Sequence, residues 1–411
     1  MTQFDLFDHV AAAYAGAASG RLSNDRLYTI AADRAGVSND QMKATAPIGR
    51  AGKHRSPAKR AIRWHQQTLA ALGLLRKVPN HRGVWELTEK GRGRMRVIKP
   101  DAAVLAFSTD LGVAIWSNCL RVFDRWPSEI FCAISSPPYP LRRARAYGNP
   151  DGAEYIDFIC RSLEPVVRQL VVGGNVVLNV GDVFEAGSPA KSTYIERLVL
   201  ALEARLGLSL MNRIVWQSNK PPGPIQWASL KRVQLNEGYE FLLWFSNDPA
   251  NCIADNRRIL EPHTSRHAKL LSDGGERKAR ISGDGAHRIK QGAYGSPTKG
   301  RIPRNVFHVA NTCSSQREYK RKARELGLQA HGAPMPLPLA RKLVRFLTDV
   351  GQLCVDMFGG SMTVPLACEL EGRAWAATEN VFDYVRGAAE RFRDRPGFDL
   401  ALACDIPEQG K

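Results

Sequence analysis

Apolar residues along this chain recur with two different periods, and the changes of period divide it. Over residues 58–75, AKRAIRWHQQTLAALGLL, Ile62, Leu69, Leu72 and Leu75 fall near one helical face, and Gly73 stands where a glycine commonly ends a helix. Residues 76–88 then read as two short strands around a turn, followed by a basic helix start at 89–94. From about 104 to 250 strand and helix patterns alternate, which favours a parallel sheet. Strands are expected at 130–134, 175–180, 210–216 and 239–245, and an amphipathic helix over 155–170, ending at Gly173-Gly174. Residues 251–330 lose this rhythm; they are basic, polar and glycine-containing, a composition expected to order on binding. The pattern returns as a helix at 338–350, a strand at 353–358, a turn at 359–363, a helix at 364–371 and a strand at 374–378 that ends on Glu379. The expected fold class is therefore α/β, a Rossmann-like doubly wound sheet, with residues 1–100, 101–250, 251–330 and 331–411 as its successive units.

Charge sharpens that division. The 411 residues carry a net charge of +18. Residues 1–100 hold 18 Lys and Arg against 7 Asp and Glu, residues 251–330 hold 17 against 7, and the rest is nearly neutral. Two basic regions around a neutral body are expected of a catalytic core with separate polyanion contacts. The helix, glycine and strand-turn-strand of the first hundred residues resemble a winged helix, a module that binds DNA or serves as a dimerisation surface. Eight cysteines, at 119, 132, 160, 252, 313, 354, 368 and 404, are scattered without a CxxC pair, so buried free thiols and no metal are expected. With no basic start leading into an apolar run, and no apolar run of spanning length, the chain reads as cytoplasmic and soluble.

Two short elements carry the chemistry. The strand at 130–134 runs into Ser135-Ser136-Pro137-Pro138-Tyr139-Pro140. Each proline removes a ladder donor and restricts the residue before it, so this element should be a stiff loop past a strand end, with exposed carbonyls. Downstream, strand, Gly359-Gly360, helix, strand and Glu379 follow the order of a first nucleotide-binding unit, in which glycines let backbone approach a ligand and an acid accepts ribose hydroxyls. The full GxGxxG fingerprint is absent, and with it the usual pyrophosphate cradle.

Taken together, Ser136-Pro137-Pro138-Tyr139 and Asp356-Met357-Phe358-Gly359-Gly360-Ser361-Met362-Thr363 resemble the DNA amino-methyltransferases, and their order along the chain resembles that family's β class, over about residues 105–395. The resemblance implies S-adenosylmethionine as cofactor, held by Asp356, Phe358, Gly359, Ser361 and Thr363, with Glu379 on the ribose. His331-Gly332-Ala333-Pro334-Met335-Pro336 is similar to the family element that packs against the cofactor's methionine end, so His331 and Pro334 join the set. Met357, Met362 and Gly332 depart from the family pattern, and the two methionines are expected to narrow the pocket.

An exocyclic base amine is a weak nucleophile because its lone pair is delocalised into the ring. If the Ser136 hydroxyl and the Pro137 carbonyl accept its two N–H bonds, the nitrogen pyramidalises; Pro137 and Pro138 hold the acceptors rigid. Tyr139 would stack on the base once it leaves the duplex. The serine-first motif leans towards N4 of cytosine, with N6 of adenine the alternative, because neither acceptor reads ring identity. Double-stranded DNA is the expected partner and a homodimer the expected assembly. In the slot of the recognition region, Arg257, Arg258, Arg277, Arg280, Arg288, Arg301 and Arg304 are candidates for base or phosphate contacts. Lys220, Trp227 and Arg232, around the proline-rich loop at 219–224, are further DNA candidates. Two rival readings remain: a DNA-binding regulator with an inactive nucleotide-sensing body, against which the intact Ser136–Tyr139 motif speaks, and an RNA or protein methyltransferase with a related loop.

Overall fold

The computed structural model describes residues 10–401 apart from 11–12, 15–16, 18–19, 36, 49–52, 72–73, 80, 89–102, 141–151, 186, 221–225 and 284. The basic helix start expected at 89–94, the loop prolines at 221 and 222, and Cys404 lie outside the described residues. Up to residue 88 the elements are β1 (Arg21–Ser23), α1 (Asn24–Arg34), α2 (Asn39–Lys43), β2 (Ala46–Ile48), β3 (Lys53–Arg55), α3 (Pro57–Ala71), β4 (Leu75–Lys77) and β5 (Val84–Leu87). They form an antiparallel three-stranded sheet, ordered β1-β5-β4, plus the β2–β3 hairpin. Ile62 and Leu69 of α3 share one core with Leu75, Trp85, Leu87, Tyr14, Leu27 and Ala31, but α3 stops at Ala71, so Leu75, expected on the helical face, packs from β4 instead, and Leu72 and Gly73 lie outside the described residues.

The body is built on nine strands: β6 (Val104–Thr109), β7 (Gly112–Trp116), β8 (Ile130–Ser135), β9 (Leu170–Val180), β10 (Ser209–Gln217), β11 (Tyr239–Ser246), β14 (Val306–His308), β15 (Leu353–Asp356) and β16 (Ala374–Glu379), ordered β14-β10-β11-β9-β8-β15-β16-β7-β6. Pairing is parallel from β9 through β8, β15 and β16 to β7, whereas β6 and β11 run against their neighbours. The sheet is thus mixed where the alternation of elements had favoured a parallel one. The sequence reading did not name the β6–β7 hairpin, an antiparallel pair at the sheet edge.

Alternate residues along the central strands serve opposite faces, as the two-residue period of a strand requires. Ile134, Val177, Cys354 and Trp375 pack under α9 (Leu337–Leu347), α10 (Thr363–Glu371) and α11 (Phe382–Ala389). Ala133, Val176, Leu178, Val355 and Ala376 pack under α5 (Gly152–Val167) and α6 (Tyr194–Leu206). The short α4 (Cys119–Val122) precedes β8. Each fully buried leucine, such as Leu343, contributes about 2–5 kcal/mol relative to alanine.

Two boundaries differ from expectation. α5 stops at Val167, and Gly173-Gly174 lie inside β9, where the Asn251 carbonyl crosses too close to admit a side chain. The basic region is also shorter than residues 251–330. Its own elements are α7 (Ser265–Ser272) and the β12–β13 hairpin (Arg280–Ser282 with His287–Ile289), while β14 joins the main sheet beside β10 and α8 (Ser314–Glu325) packs against α11. Among the described residues no helix is long and apolar enough to cross a membrane.

Candidate active site

The two motifs meet at one edge of the sheet. β8 and β15 are parallel neighbours, with Cys132 opposite Cys354 and Ala133 opposite Val355. The chain leaves β8 through α5 towards β9 and leaves β15 through α10 towards β16, so the crossovers diverge and open a crevice at the carboxyl ends of both strands. Two hydrogen bonds of Ser135 tie the two turns together. Ser135 Oγ donates to Asp356 Oδ1 at 2.8 Å and accepts from the Met357 N–H at 3.0 Å, while the Phe358 N–H donates to the same carboxylate oxygen at 3.1 Å. Burial lifts the Asp356 carboxyl to about 7 against the lowering pull of these donors.

The resulting cleft has a volume of about 510 Å³, and Ser136, Pro137, Pro138 and Tyr139 form one wall. Tyr139 is fixed from behind: its hydroxyl donates to Glu240 Oε2 at 2.7 Å, and Asn179 Nδ2 donates to that same oxygen at 3.1 Å. Burial, reinforced by the Glu240 carboxylate, pushes the phenol well above its ordinary value and keeps it a donor. Opposite, Phe358, Gly360, Glu379, His331 and Pro334 line the other end. Gly360 has φ +51°, and a Cβ there would stand 3.4 Å from the His331 ring, so the turn needs glycine for conformation and closeness alike. The His331 loop is pinned by α8: the Tyr319 hydroxyl accepts the His331 N–H at 2.9 Å, and Gln316 Nε2 donates to the Pro334 carbonyl at 2.6 Å.

Glu379 provides the fit test for a nucleoside-bearing ligand. Its Oε2 accepts the Gly360 N–H and its Oε1 the Val381 N–H, each at 2.7 Å, and burial raises the carboxyl to about 7. Each oxygen keeps lone-pair capacity beyond one amide, and the residue lines the cleft, as a vicinal diol would require. The residues present fit an adenosine-type cofactor: Glu379 would hold its ribose hydroxyls, and Phe358, His331 and Pro334 would hold its other end.

Other residues read from the sequence stand behind this wall. Asp356 and Gly359 shape the turn, Gly359 donating its N–H to the Thr378 carbonyl at 2.8 Å. The Ser361 and Thr363 hydroxyls bond each other at 3.0 Å, and the half-buried Arg391 donates to Thr363 Oγ1 at 2.9 Å and to the Ser361 carbonyl at 2.5 Å. None of the four lines the cleft. Of the two methionines expected to narrow it, Met357 does line it; Met362 turns into the core, with the uncommon left-handed φ of +54°.

The DNA candidates divide similarly. Lys220 lines the cleft mouth; Trp227 and Arg232 sit on the half-buried to exposed segment beyond it. Arg257 pairs with Asp255, Arg258 with Asp349, Arg277 with Asp273, Arg280 with Glu276 and Arg301 with Glu261. Such exposed pairs hold their partners by about 0–1 kcal/mol. Arg288, on the β12–β13 hairpin, and Arg304 are exposed. The sequence reading missed Asn179, Glu240, Lys320 and Asn380, all in the cleft wall. Glu240 did leave a trace, a carboxylate in the otherwise apolar run at 239–245, and antiparallel pairing brings the start of β11 to the end of β9 at the cleft edge.

Comparison with known proteins returns one family. A model of the DNA methylase family matches residues 130–390. Type II methyltransferase M.PvuII of Proteus hauseri is 30% identical over 296 residues, spanning 70% of this chain and 86% of that protein. Type II methyltransferase M.XycI of Xanthomonas campestris pv. cyanopsidis is 24% identical over 345 residues, spanning 76% and 96%. Among solved structures, the PvuII DNA methyltransferase (cytosine-N4-specific) superposes with a TM-score of 0.55 at 26% identity, over 70% of this chain and 88% of that one.

Proposed function

The chain belongs to the DNA methylase family and is an S-adenosylmethionine-dependent DNA amino-methyltransferase, and on that premise we propose that it methylates N4 of cytosine, with Ser136–Tyr139 as the base-binding turn. The observation that carries the reading is the Ser135–Asp356 bond, which puts this turn and the Phe358–Gly360 turn on a single cleft. Similarity to a methyltransferase described as cytosine-N4-specific supports the choice of base.

The bound cofactor supplies an electrophilic methyl group on a sulfonium. The remaining work falls to this chain. Ser136 Oγ and the Pro137 carbonyl accept the two N–H bonds of the exocyclic amine and, being held on a proline-stiffened backbone, need little reorganisation as charge develops on nitrogen. Tyr139, its hydroxyl anchored on Glu240, offers its ring to a base that has left the duplex. Glu379 takes the ribose hydroxyls, and Phe358, His331 and Pro334 the remainder of the cofactor, while Asp356, Gly359, Ser361 and Thr363 hold the turn in shape. Lys220 at the cleft mouth, Trp227 and Arg232 beside it, and the arginines of residues 251–305 engage DNA, with Arg288 and Arg304 the most available. A winged-helix reading of the N-terminal unit is supported by its β1-β5-β4 order and the β4–β5 hairpin. The enzyme acts in the cytoplasm, and we take it to act as a homodimer.

Nucleoside analysis of DNA treated with the purified enzyme and isotopically labelled S-adenosylmethionine tests the choice of base. Labelled N4-methylcytosine is expected; labelled N6-methyladenine would overturn the assignment.

A further inference from the structure

We propose that the N-terminal unit is a second duplex-DNA-binding surface, with α3 and the β2–β3 hairpin as its contact face and the β4–β5 turn beside them. The chain between residues 41 and 85 holds ten Lys and Arg and not one Asp or Glu. Folding leaves Arg55, Lys59, Arg60 and Arg82 among them exposed. α3 spends Ile62, His65, Gln66 and Leu69 on the core, where Gln66 Nε2 donates to the Tyr14 hydroxyl at 2.6 Å, and turns Lys59, Arg60 and Gln67 to solvent. Arg55 ends the hairpin one residue before Ser56, whose hydroxyl accepts the Lys59 N–H at 3.3 Å and donates to the Met42 carbonyl at 2.9 Å, joining the end of α2 to the start of α3. His54 and Arg55 are exposed, and His81 and Arg82 are exposed on the β4–β5 turn.

The acids among the unit's described residues are elsewhere. Asp25 and Asp33 lie on α1 and Asp40 on α2, while Glu86 is occupied by Arg21 at 2.7 Å and Arg76 at 2.8 Å. A helix of fifteen residues is about 22 Å long, and a major groove about 12 Å wide admits it.

Two features favour DNA over a second copy of the chain. Every exposed large hydrophobic residue among those described lies at Val104 or beyond, so the described part of the unit offers no apolar patch from which a stable protein interface is built. A two-fold interface would also set this basic face against itself. The proposal goes beyond the catalytic reading, which needs only the cleft and the region at 251–305.

The test uses the whole chain with Arg55→Ala, Lys59→Ala and Arg60→Ala combined, and Arg161→Ala, Arg168→Ala and Arg197→Ala combined as a control on exposed arginines of α5, the turn after it and α6. Duplex affinity is measured by anisotropy over a range of salt concentrations, with unfolding midpoint and cofactor affinity confirming the fold. If the three side chains meet phosphates, the slope of log affinity against log salt becomes shallower by about 2–3, and affinity in low salt falls by roughly tenfold or more. The control should match the wild type, and the transfer rate at saturating DNA should hold in both. Unchanged slope and affinity would overturn the proposal. So would unchanged DNA binding with a lower sedimentation mass, which would make the face an interface between copies.

Discussion

Replacing Ser135 with alanine removes one oxygen, yet that oxygen joins the two halves of the cleft. Asp356 loses a charge-assisted bond of 2.8 Å and the Met357 N–H loses its acceptor at 3.0 Å, both in fully buried surroundings. A bond to a charged group is worth about 1.5–3 kcal/mol, and a buried donor left without a partner costs a further 1–3 kcal/mol or so, giving a destabilisation of about 3–5 kcal/mol. Denaturant unfolding of the cofactor-free protein measures it. A coupling of about 1.5–3 kcal/mol should appear in a double-mutant cycle with Asp356→Asn. The pH dependence adds a signature. The Asp356 carboxyl, raised to about 7, binds its proton more tightly in the folded chain than in the unfolded one. Its contribution is therefore present at low pH and is lost as pH climbs from about 4 to about 7. Removing the Ser135 hydroxyl removes a donor that pulls this value down, so in the variant the decline must extend above pH 7. A loss below about 0.6 kcal/mol, or strictly additive double-mutant energies, would refute the linkage.

Three further outcomes follow from the same geometry. Glu379→Gln should weaken S-adenosylmethionine about 10- to 100-fold by calorimetry, by loss of charged hydrogen bonds; it should also flatten the apo-protein's stability loss between about pH 4 and 7, since this carboxyl too is raised to about 7. Glu240→Ala should free Tyr139 and slow transfer by roughly tenfold while cofactor affinity holds, a split that single-turnover kinetics and calorimetry resolve; an unchanged rate would remove Glu240 as a positioning residue. Leu343→Ala, far from the cleft, should cost about 2–5 kcal/mol in chemical unfolding with cofactor affinity intact.

Much of this molecule was legible in its sequence wherever local pattern decides structure. Strand runs such as 130–134 and 353–356 are apolar because they are covered on both faces, and the prolines at 137 and 138 can stand only past a strand end. The separation of the two basic regions from a neutral body was a matter of counting. Long-range pairing was not legible. That β14 and α8 belong to the catalytic body depends on partners 91 and 68 residues away, Val215 for Val306 and Gly387 for Tyr319. Glu240 acquires its place beside Tyr139 only because β11 runs antiparallel to β9. Asp356 was read as a ligand contact, and its bond to Ser135 was not legible, since a carboxylate at a strand end looks the same in one dimension whether it faces a cleft or a neighbouring serine.

The central claim is that base and cofactor are held by opposite walls of one cleft, and Tyr139→Ala probes it most directly. Single-turnover transfer from labelled S-adenosylmethionine to excess DNA, run beside calorimetry on the same preparation, should show the rate reduced by two orders of magnitude or about that, with cofactor affinity within about twofold of the wild type. A rate close to the wild type's, with the cofactor bound as tightly, would mean that the target base is not held at the Ser136–Tyr139 turn.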